Sequence, residues 1–286
     1  MIKKFCLFLI ILFLPIKVFA NDFSNFWTWK NIKPTPVVSN KNIESEIDAR
    51  SYAIYDYETG QIIKSKNINH TQAIASITKL MTVIVLTENY KQDEIIDVSY
   101  RAAYCNGSKM YLSQGEKISL KDLIKGMLIS SANDAAIAIA DYYGEEKIVG
   151  LMNKKAVELG LTNTKFSDTV GLDENNVSNA RDLFIISKHI LLNQDFREIL
   201  NTINTTIVSA SGQQHLLNTT NRLLKNYPDI FGIKTGYIEE AGFCLITLAE
   251  QKNHKIIVVL LGSSDNNYRF DHSRNLVDWA FQNSSW

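Results

Sequence analysis

The sequence predicts a fold of the α/β class, α+β in type: a mostly antiparallel sheet built from both chain ends, with helices packed on it and a helical middle region. Three observations carry this. β-patterned segments flank turn residues around Gly60 and again around Asn253. Most of the chain between them repeats its apolar residues at helical spacing. No repeat and no low-complexity linker separates the two β-rich ends, so one sheet is expected to draw on both.

The first twenty residues stand outside that fold. Lys3 and Lys4 precede an unbroken apolar run from Phe5 to Leu14, and Val18-Phe19-Ala20 resembles a cleavage site. This is the pattern of a secretory signal peptide, residues 1–20, cut after Ala20. The run is short for a membrane span and Lys17 interrupts it. Cys6 lies inside the run, away from any lipid-attachment point. Removing Lys3, Lys4 and Lys17 leaves 27 basic against 30 acidic side chains, a net charge of −3. That balance gives no reason to expect a nucleic-acid partner.

Residues 21–45 form a polar, aromatic leader with Pro34 and Pro36, expected to be strapped to the surface or mobile. Residues 46–286 are expected to be a single catalytic domain. Tyr52, Ile54 and Tyr57, then Glu58-Thr59-Gly60-Gln61, then Ile62-Ile63 read as strand, turn and strand. Ala73 to Tyr90 has helical spacing, with Leu80, Val83, Ile84 and Thr87 on one side. Ser119-Leu120-Lys121-Asp122 has the form of a capping box opening a helix through Leu128. Asp134–Tyr142, Val149–Leu159 and Asn179–Leu192 read as helices. Phe243–Ala249 and Ile256–Gly262 read as a hairpin, and Tyr268–Phe281 as a last helix. Outside the signal segment the chain keeps two cysteines, Cys105 and Cys244, which need not pair. The five histidines are scattered, and no CxxC or HExxH occurs, so neither metal nor cofactor is expected.

Chemistry gathers in three short motifs. In Ser76-Ile77-Thr78-Lys79 the lysine follows the serine by one helical turn and can reach its hydroxyl. A serine hydroxyl becomes a useful nucleophile only when a base takes its proton. Lys79 qualifies if burial or a second cation, for which Lys234 is the candidate, lowers its pKa. Near a helix start, unpaired N–H groups and the helix dipole also favour an oxyanion. Ser131-Ala132-Asn133 and Lys234-Thr235-Gly236 complete the set. Each motif alone fits an ordinary cap or turn. The ordered combination in one exported chain points to serine acyl transfer without histidine.

Beyond these motifs the chain resembles the low-molecular-weight penicillin-binding proteins that act as serine-type D-alanyl-D-alanine carboxypeptidases. The resemblance runs through Ala75–Thr82, Gly107-Ser108-Lys109-Met110, Ser131–Ala136, Gly171-Leu172-Asp173 with Ser178–Asp182, and Phe231–Tyr237. It implies a β-lactamase/transpeptidase-like fold. It also implies roles: Ser76 as the acylated nucleophile, Lys79 as its base, and Ser131 as a proton relay to the leaving amine. Asn133 would hold the substrate amide, Lys234 supply positive charge, and Thr235 bind the terminal carboxylate. Gly236 would let the strand backbone approach the substrate. The backbone N–H groups of Ser76 and Tyr237 would form the oxyanion hole. Arg269 would stand near the carboxylate, although it also fits a surface charge on the last helix.

The activity so implied is removal of the terminal D-alanine from peptidoglycan stem pentapeptides, with β-lactams as covalent inhibitors. The expected protein is periplasmic or extracellular, soluble after cleavage, with neither a C-terminal β-domain nor a membrane anchor. A D,D-endopeptidase using the same site is the first alternative, and a β-lactamase with Glu174 as deacylating base is the second. Asp229-Ile230-Phe231-Gly232-Ile233 favours the carboxypeptidase.

Overall fold

A computed structural model describes residues 34–39 and 47–286. The expected signal peptide and most of the expected leader lie outside the described residues. The main sheet has five strands: β1 (Ser51–Asp56), β2 (Ile62–Lys66), β3 (Ile230–Ile238), β4 (Gly242–Gln251) and β5 (His254–Ser263). Their order is β3-β4-β5-β1-β2, every neighbour antiparallel. Both chain ends therefore meet in one sheet where β5 pairs with β1, Val258 opposite Ile54.

The central strands are apolar on both faces, because helices cover the sheet from both sides. Along β5, Ile256, Val258 and Leu260 join one core cluster, while Ile257, Val259 and Leu261 join the other. That is the period-two alternation of a strand with no solvent face. The first cluster includes Leu276, Val277 and Ala280 of the last helix, α6 (Tyr268–Asn283). The second is the larger core. It packs α1 (Lys79–Asn89), α2 (Leu120–Ile129), α3 (Asn133–Tyr143), α4 (Glu145–Glu158) and α5 (Ala180–Ile190).

Local chemistry sets the boundaries. Ser119 caps α2: its Oγ accepts from Asp122 N at 3.2 Å and donates to the Asp122 carboxylate. Asn179 caps α5 by accepting from Asp182 N at 2.8 Å. Lys252 and Asn253, at φ 50° and 64°, form the two-residue turn between β4 and β5.

Two features depart from the sequence reading, and one piece of the expected leader is strapped down as that reading allowed. The segment read as one helix from Ala73 is divided: Gln72–Ala73 pairs with Val177–Ser178, Ala75–Thr78 is a 3-10 turn, and α1 starts at Lys79. A hairpin of Asn204–Val208 with Gln214–Asn218 and a helix at Gln194–Leu200 occupy a stretch left unassigned. Val37–Val38 pairs with Ser284–Ser285.

Candidate active site

Ser76 lies in the 3-10 turn that delivers the chain into α1. Two glycines hold that turn from different sides. Gly171 has φ +85°, and a Cβ there would overlap the carbonyl oxygen of Ala75 and stand 2.9 Å from Ser76 N. On β3, a Cβ on Gly236 would lie 2.9 Å from Ile74 O and 3.2 Å from Ser76 N. Gly236 thus admits the Ser76 turn to the edge strand, a packing role beside the substrate approach expected of it. Ala75 itself sits at φ 49°, and Ser131 at φ 56°. Non-glycine residues held in this region mark backbone that the surroundings dictate.

One turn after Ser76, Lys79 is fully buried. Its Nζ donates to Ser76 Oγ at 2.9 Å, Asn133 Oδ1 at 2.9 Å and Val170 O at 2.8 Å. Three acceptors match the three protons of an ammonium. A neutral amine keeps two donors for Asn133 and Val170 and turns its lone pair to the Ser76 hydroxyl. Burial pushes the Lys79 pKa down from 10.5 to about 7, against the pull of Asp168, Cys105 and Asp134. Of the two causes the sequence allows, burial and a second cation, burial is the dominant one.

A second pair faces the first. Lys234 Nζ donates to Ser131 Oγ at 2.7 Å and to Thr235 O at 2.9 Å. Burial, followed by the charges of Lys79 and Arg269, pushes the Lys234 pKa well down. The expectation of Lys234 as a standing positive charge is therefore qualified. In this arrangement its environment works against ionisation, and an incoming carboxylate would pull the other way.

Asn133 begins α3 and connects three segments. Its Oδ1 accepts from Lys79, its Nδ2 donates to Asn106 O at 2.9 Å, and its backbone N donates to Ser108 O at 2.7 Å. The sequence treats Ser131 and Asn133 as ordinary caps in the bland case. In the structure the N-cap position is Ala132, with no side-chain cap, so neither side chain is spent on capping: Ser131 bonds Lys234, and Asn133 bonds Lys79 and Asn106. Next to them the Asp134 carboxylate accepts from Met110 N and Leu112 N, each at 3.1 Å, fixing the Gly107–Met110 segment.

These segments enclose a cleft of about 260 Å³ lined by Ser76, Ser131, Asn133, Thr235, Gly236, Tyr237 and Arg269. All seven are among the site residues predicted from sequence; the other two, Lys79 and Lys234, lie beneath it. Arg269 is no free surface charge. Its guanidinium donates to Gly236 O at 2.9 Å and stands over Phe243 and Phe270, and burial lowers its pKa to about 10.

The cleft also contains residues to which sequence reasoning gave no site role. Thr220 Oγ1 shares a 2.6 Å hydrogen bond with Thr235 Oγ1, and Leu172 lines the opening. Behind Leu172, Asp168 accepts from the backbone N–H groups of residues 170–173, ordering the loop whose Val170 carbonyl meets Lys79. Larger hollows exist elsewhere, one of about 400 Å³ beside Phe231 and Arg197, but they hold no serine–lysine pair. Among the described residues no group of three or more His, Cys, Asp or Glu side chains could hold a metal ion, and Cys105 and Cys244 are both free.

Known proteins resemble this chain in sequence and in fold. A family profile described as D-alanyl-D-alanine carboxypeptidase matches residues 37–265. The D-alanyl-D-alanine carboxypeptidase DacF of Bacillus subtilis is 36% identical over 242 residues, covering 82% of this chain and 62% of the relative. The chain thus spans less than two thirds of that relative's length. The D-alanyl-D-alanine endopeptidase of Haemophilus influenzae is 32% identical, covering 80% of this chain and 81% of the relative. Among solved structures, the Streptomyces K15 DD-transpeptidase matches with a TM-score of 0.77 at 29% identity, over 82% of this chain and 98% of that one. Penicillin-binding protein 6B of Escherichia coli gives 0.74 at 32% identity, over 83% of this chain and 78% of that one. With a family match across most of its length and a shared fold, this chain belongs to the D-alanyl-D-alanine carboxypeptidase family of peptidases.

Proposed function

We propose that this protein is an exported serine D,D-carboxypeptidase that removes the terminal D-alanine from peptidoglycan stem pentapeptides. The observation that carries the proposal is the buried Lys79 amine, 2.9 Å from Ser76 Oγ and with its pKa lowered to about 7. An amine so placed is a competent base near neutral pH.

In the proposed reaction Ser76 Oγ attacks the carbonyl carbon of the D-Ala–D-Ala bond while Lys79 takes its proton. The backbone N–H groups of Ser76 and Tyr237 hold the tetrahedral oxyanion. Asn133 holds the substrate amide. Thr235 and Arg269, helped by Lys234, hold the terminal carboxylate. Ser131, bonded to Lys234, passes a proton to the departing D-alanine nitrogen as the C–N bond breaks, and the proton that Lys79 took from Ser76 replaces it on Ser131. Water then hydrolyses the ester on Ser76. A β-lactam acylates the same oxygen, but its leaving group stays tethered, so deacylation is slow.

Export rests on the signal-peptide pattern of residues 1–20, with cleavage after Ala20 and action in the periplasm or outside the cell. No helix among the described residues is long and apolar enough to cross a membrane. The endopeptidase reading remains the second one, favoured by the similarity to the Haemophilus influenzae endopeptidase.

Incubating the protein with a monomeric pentapeptide and with a cross-linked dimer tests the proposal. Release of D-alanine from the monomer is the expected result. Cleavage of the dimer alone would transfer the function to the second reading, and rapid turnover of penicillin without an acyl-enzyme would make the protein a β-lactamase.

A further inference from the structure

A buried acid–imidazole contact lies outside the proposed reaction. His215 sits on the inner face of the Gln214–Asn218 strand, and its Nε2 is 2.6 Å from Glu116 Oε1. The side chains are 4% and 0% exposed, so water does not compete for the contact. The other ring nitrogen, Nδ1, is 2.9 Å from Met110 O. A carbonyl only accepts, so Nδ1 carries hydrogen and donates. The contact at Nε2 then requires a proton between nitrogen and oxygen, since two lone pairs would repel at that distance. The second Glu116 oxygen accepts from Ser113 N at 2.9 Å.

What the pair grips is the cleft. Met110 ends the segment whose Gly107 and Ser108 line the opening, and Ser108 O receives the N–H of Asn133. Asp134 holds that segment by its N–H groups, while His215 holds it by a carbonyl. Three residues along the His215 strand, Asn218 N donates to Ser130 Oγ at 3.0 Å, and Ser130 Oγ donates back to Asn218 O at 3.1 Å. Just beyond, Thr220 bonds Thr235. One stretch of chain, from His215 to Thr220, therefore bonds Met110, the neighbour of Ser131, and Thr235.

We infer that His215 and Glu116 are positioning residues: a buried proton-bridged clamp that locks the Gly107–Met110 segment, and through it Asn133, in register with Ser131 and Thr235. The inference rests on the proposed acyl-transfer reading for its effect on rate, and on geometry alone for the clamp. Glu116→Gln is the diagnostic variant. Its amide N–H donates to the His215 Nε2 lone pair and its carbonyl accepts from Ser113, so every contact survives without the carboxylate. Glu116→Asp keeps the charge but draws the oxygens back from His215.

The test compares wild type, Glu116→Gln, Glu116→Asp and His215→Ala by the rate of covalent labelling with a fluorescent penicillin. Amide hydrogen exchange at Met110 and Leu112 is followed in parallel. Glu116→Gln is expected within about twofold of wild type in both readouts. Glu116→Asp and His215→Ala are expected to lose about tenfold or more in acylation, because displaced positioning groups degrade the reactive geometry. Their loop amides should exchange faster. If His215→Ala does not fold, the Gln and Asp pair carries the comparison. Equal rates in all variants, or a Gln variant as impaired as the Asp variant, would overturn the clamp. A wild type that takes no penicillin would overturn the functional reading instead, and loop exchange would still decide the clamp.

Discussion

Two serine–lysine pairs face one cleft, and they are assembled differently. Ser76 and Lys79 are three residues apart on one turn of chain; Ser131 and Lys234 are 103 residues apart and meet only through the fold. Lys79 is bound by Asn133 and by the Val170 carbonyl as well as by its serine. Lys234 has its serine and the carbonyl of Thr235, the next residue. Burial depresses both amines, but Lys234 also feels the charges of Lys79 and Arg269. The same two functional groups thus become distinct through their surroundings. In the proposed reaction the first pair generates the nucleophile, and the second carries a proton and meets a carboxylate.

The largest expected effect separates the pairs outright. Ser76→Ala should abolish covalent penicillin labelling, because it removes the hydroxyl that Lys79 contacts and that the proposed reaction acylates. Ser131→Ala should retain labelling at Ser76 but slow it by about a hundredfold or more, the scale of a lost proton-transfer group. Mass spectrometry of the labelled protein decides this. An adduct on Ser131 in the Ser76→Ala protein would exchange the roles of the two pairs.

Next in size is the backbone that supports the first pair. Gly171→Ala places a methyl against the Ala75 carbonyl at φ +85°, and the obstacle is backbone, which cannot rotate away. The expected cost is about 2–4 kcal/mol in thermal or denaturant unfolding, with acylation impaired in the protein that still folds. Gly212 has φ +82° with open space around its Cβ position, and Ala there should cost less. Equal losses at both sites would mean that φ alone, and not contact with the Ser76 turn, explains the glycine.

This contrast also explains what the sequence could reveal. Ser76 and Lys79 were legible because helical geometry fixes residues three apart without knowledge of the fold. The two ends of the sheet were legible because strand alternation and turn residues are local signals. The partnership of Lys234 with Ser131, and of Asn133 with Lys79, required tertiary contact; resemblance to a family implied separate roles for these residues but neither contact. Thr220 and Asp168 escaped altogether. Each lies in irregular chain, where a threonine or an aspartate reads as an ordinary turn residue. His215 was passed over as one of five scattered histidines, since its acid lies 99 residues away.

A third effect is about tenfold per pH unit. With the Lys79 pKa lowered to about 7, the amine is protonated below that pH and cannot accept the Ser76 proton. Acylation by penicillin, measured at a single low concentration, should climb through pH 5 to 7 and level off above about 7. The sign follows from the base being the deprotonated form. A flat profile from pH 5 to 9 would remove Lys79 as the base and leave Ser76 to be activated by other means.

The smallest expected effect probes the second pair through a residue the sequence did not mark. Thr220 Oγ1 and Thr235 Oγ1 are 2.6 Å apart, and one hydroxyl must donate to the other. If Thr220 accepts, Thr235 spends its proton on it and presents only lone pairs to a carboxylate. If Thr220 donates, the Thr235 hydroxyl hydrogen is free for the substrate. The second arrangement suits an anionic ligand, so Thr220 acts by orienting its neighbour. Thr220→Val keeps the shape and removes the donor, while Thr220→Ser keeps the donor and removes a methyl. The valine variant should raise KM for the pentapeptide by about threefold to tenfold, the scale of one neutral hydrogen bond, with kcat nearly unchanged. The serine variant should restore most of it. A loss in kcat with KM untouched would instead connect Thr220 to the Ser131–Lys234 proton path, and the two pairs would then differ less than their surroundings suggest.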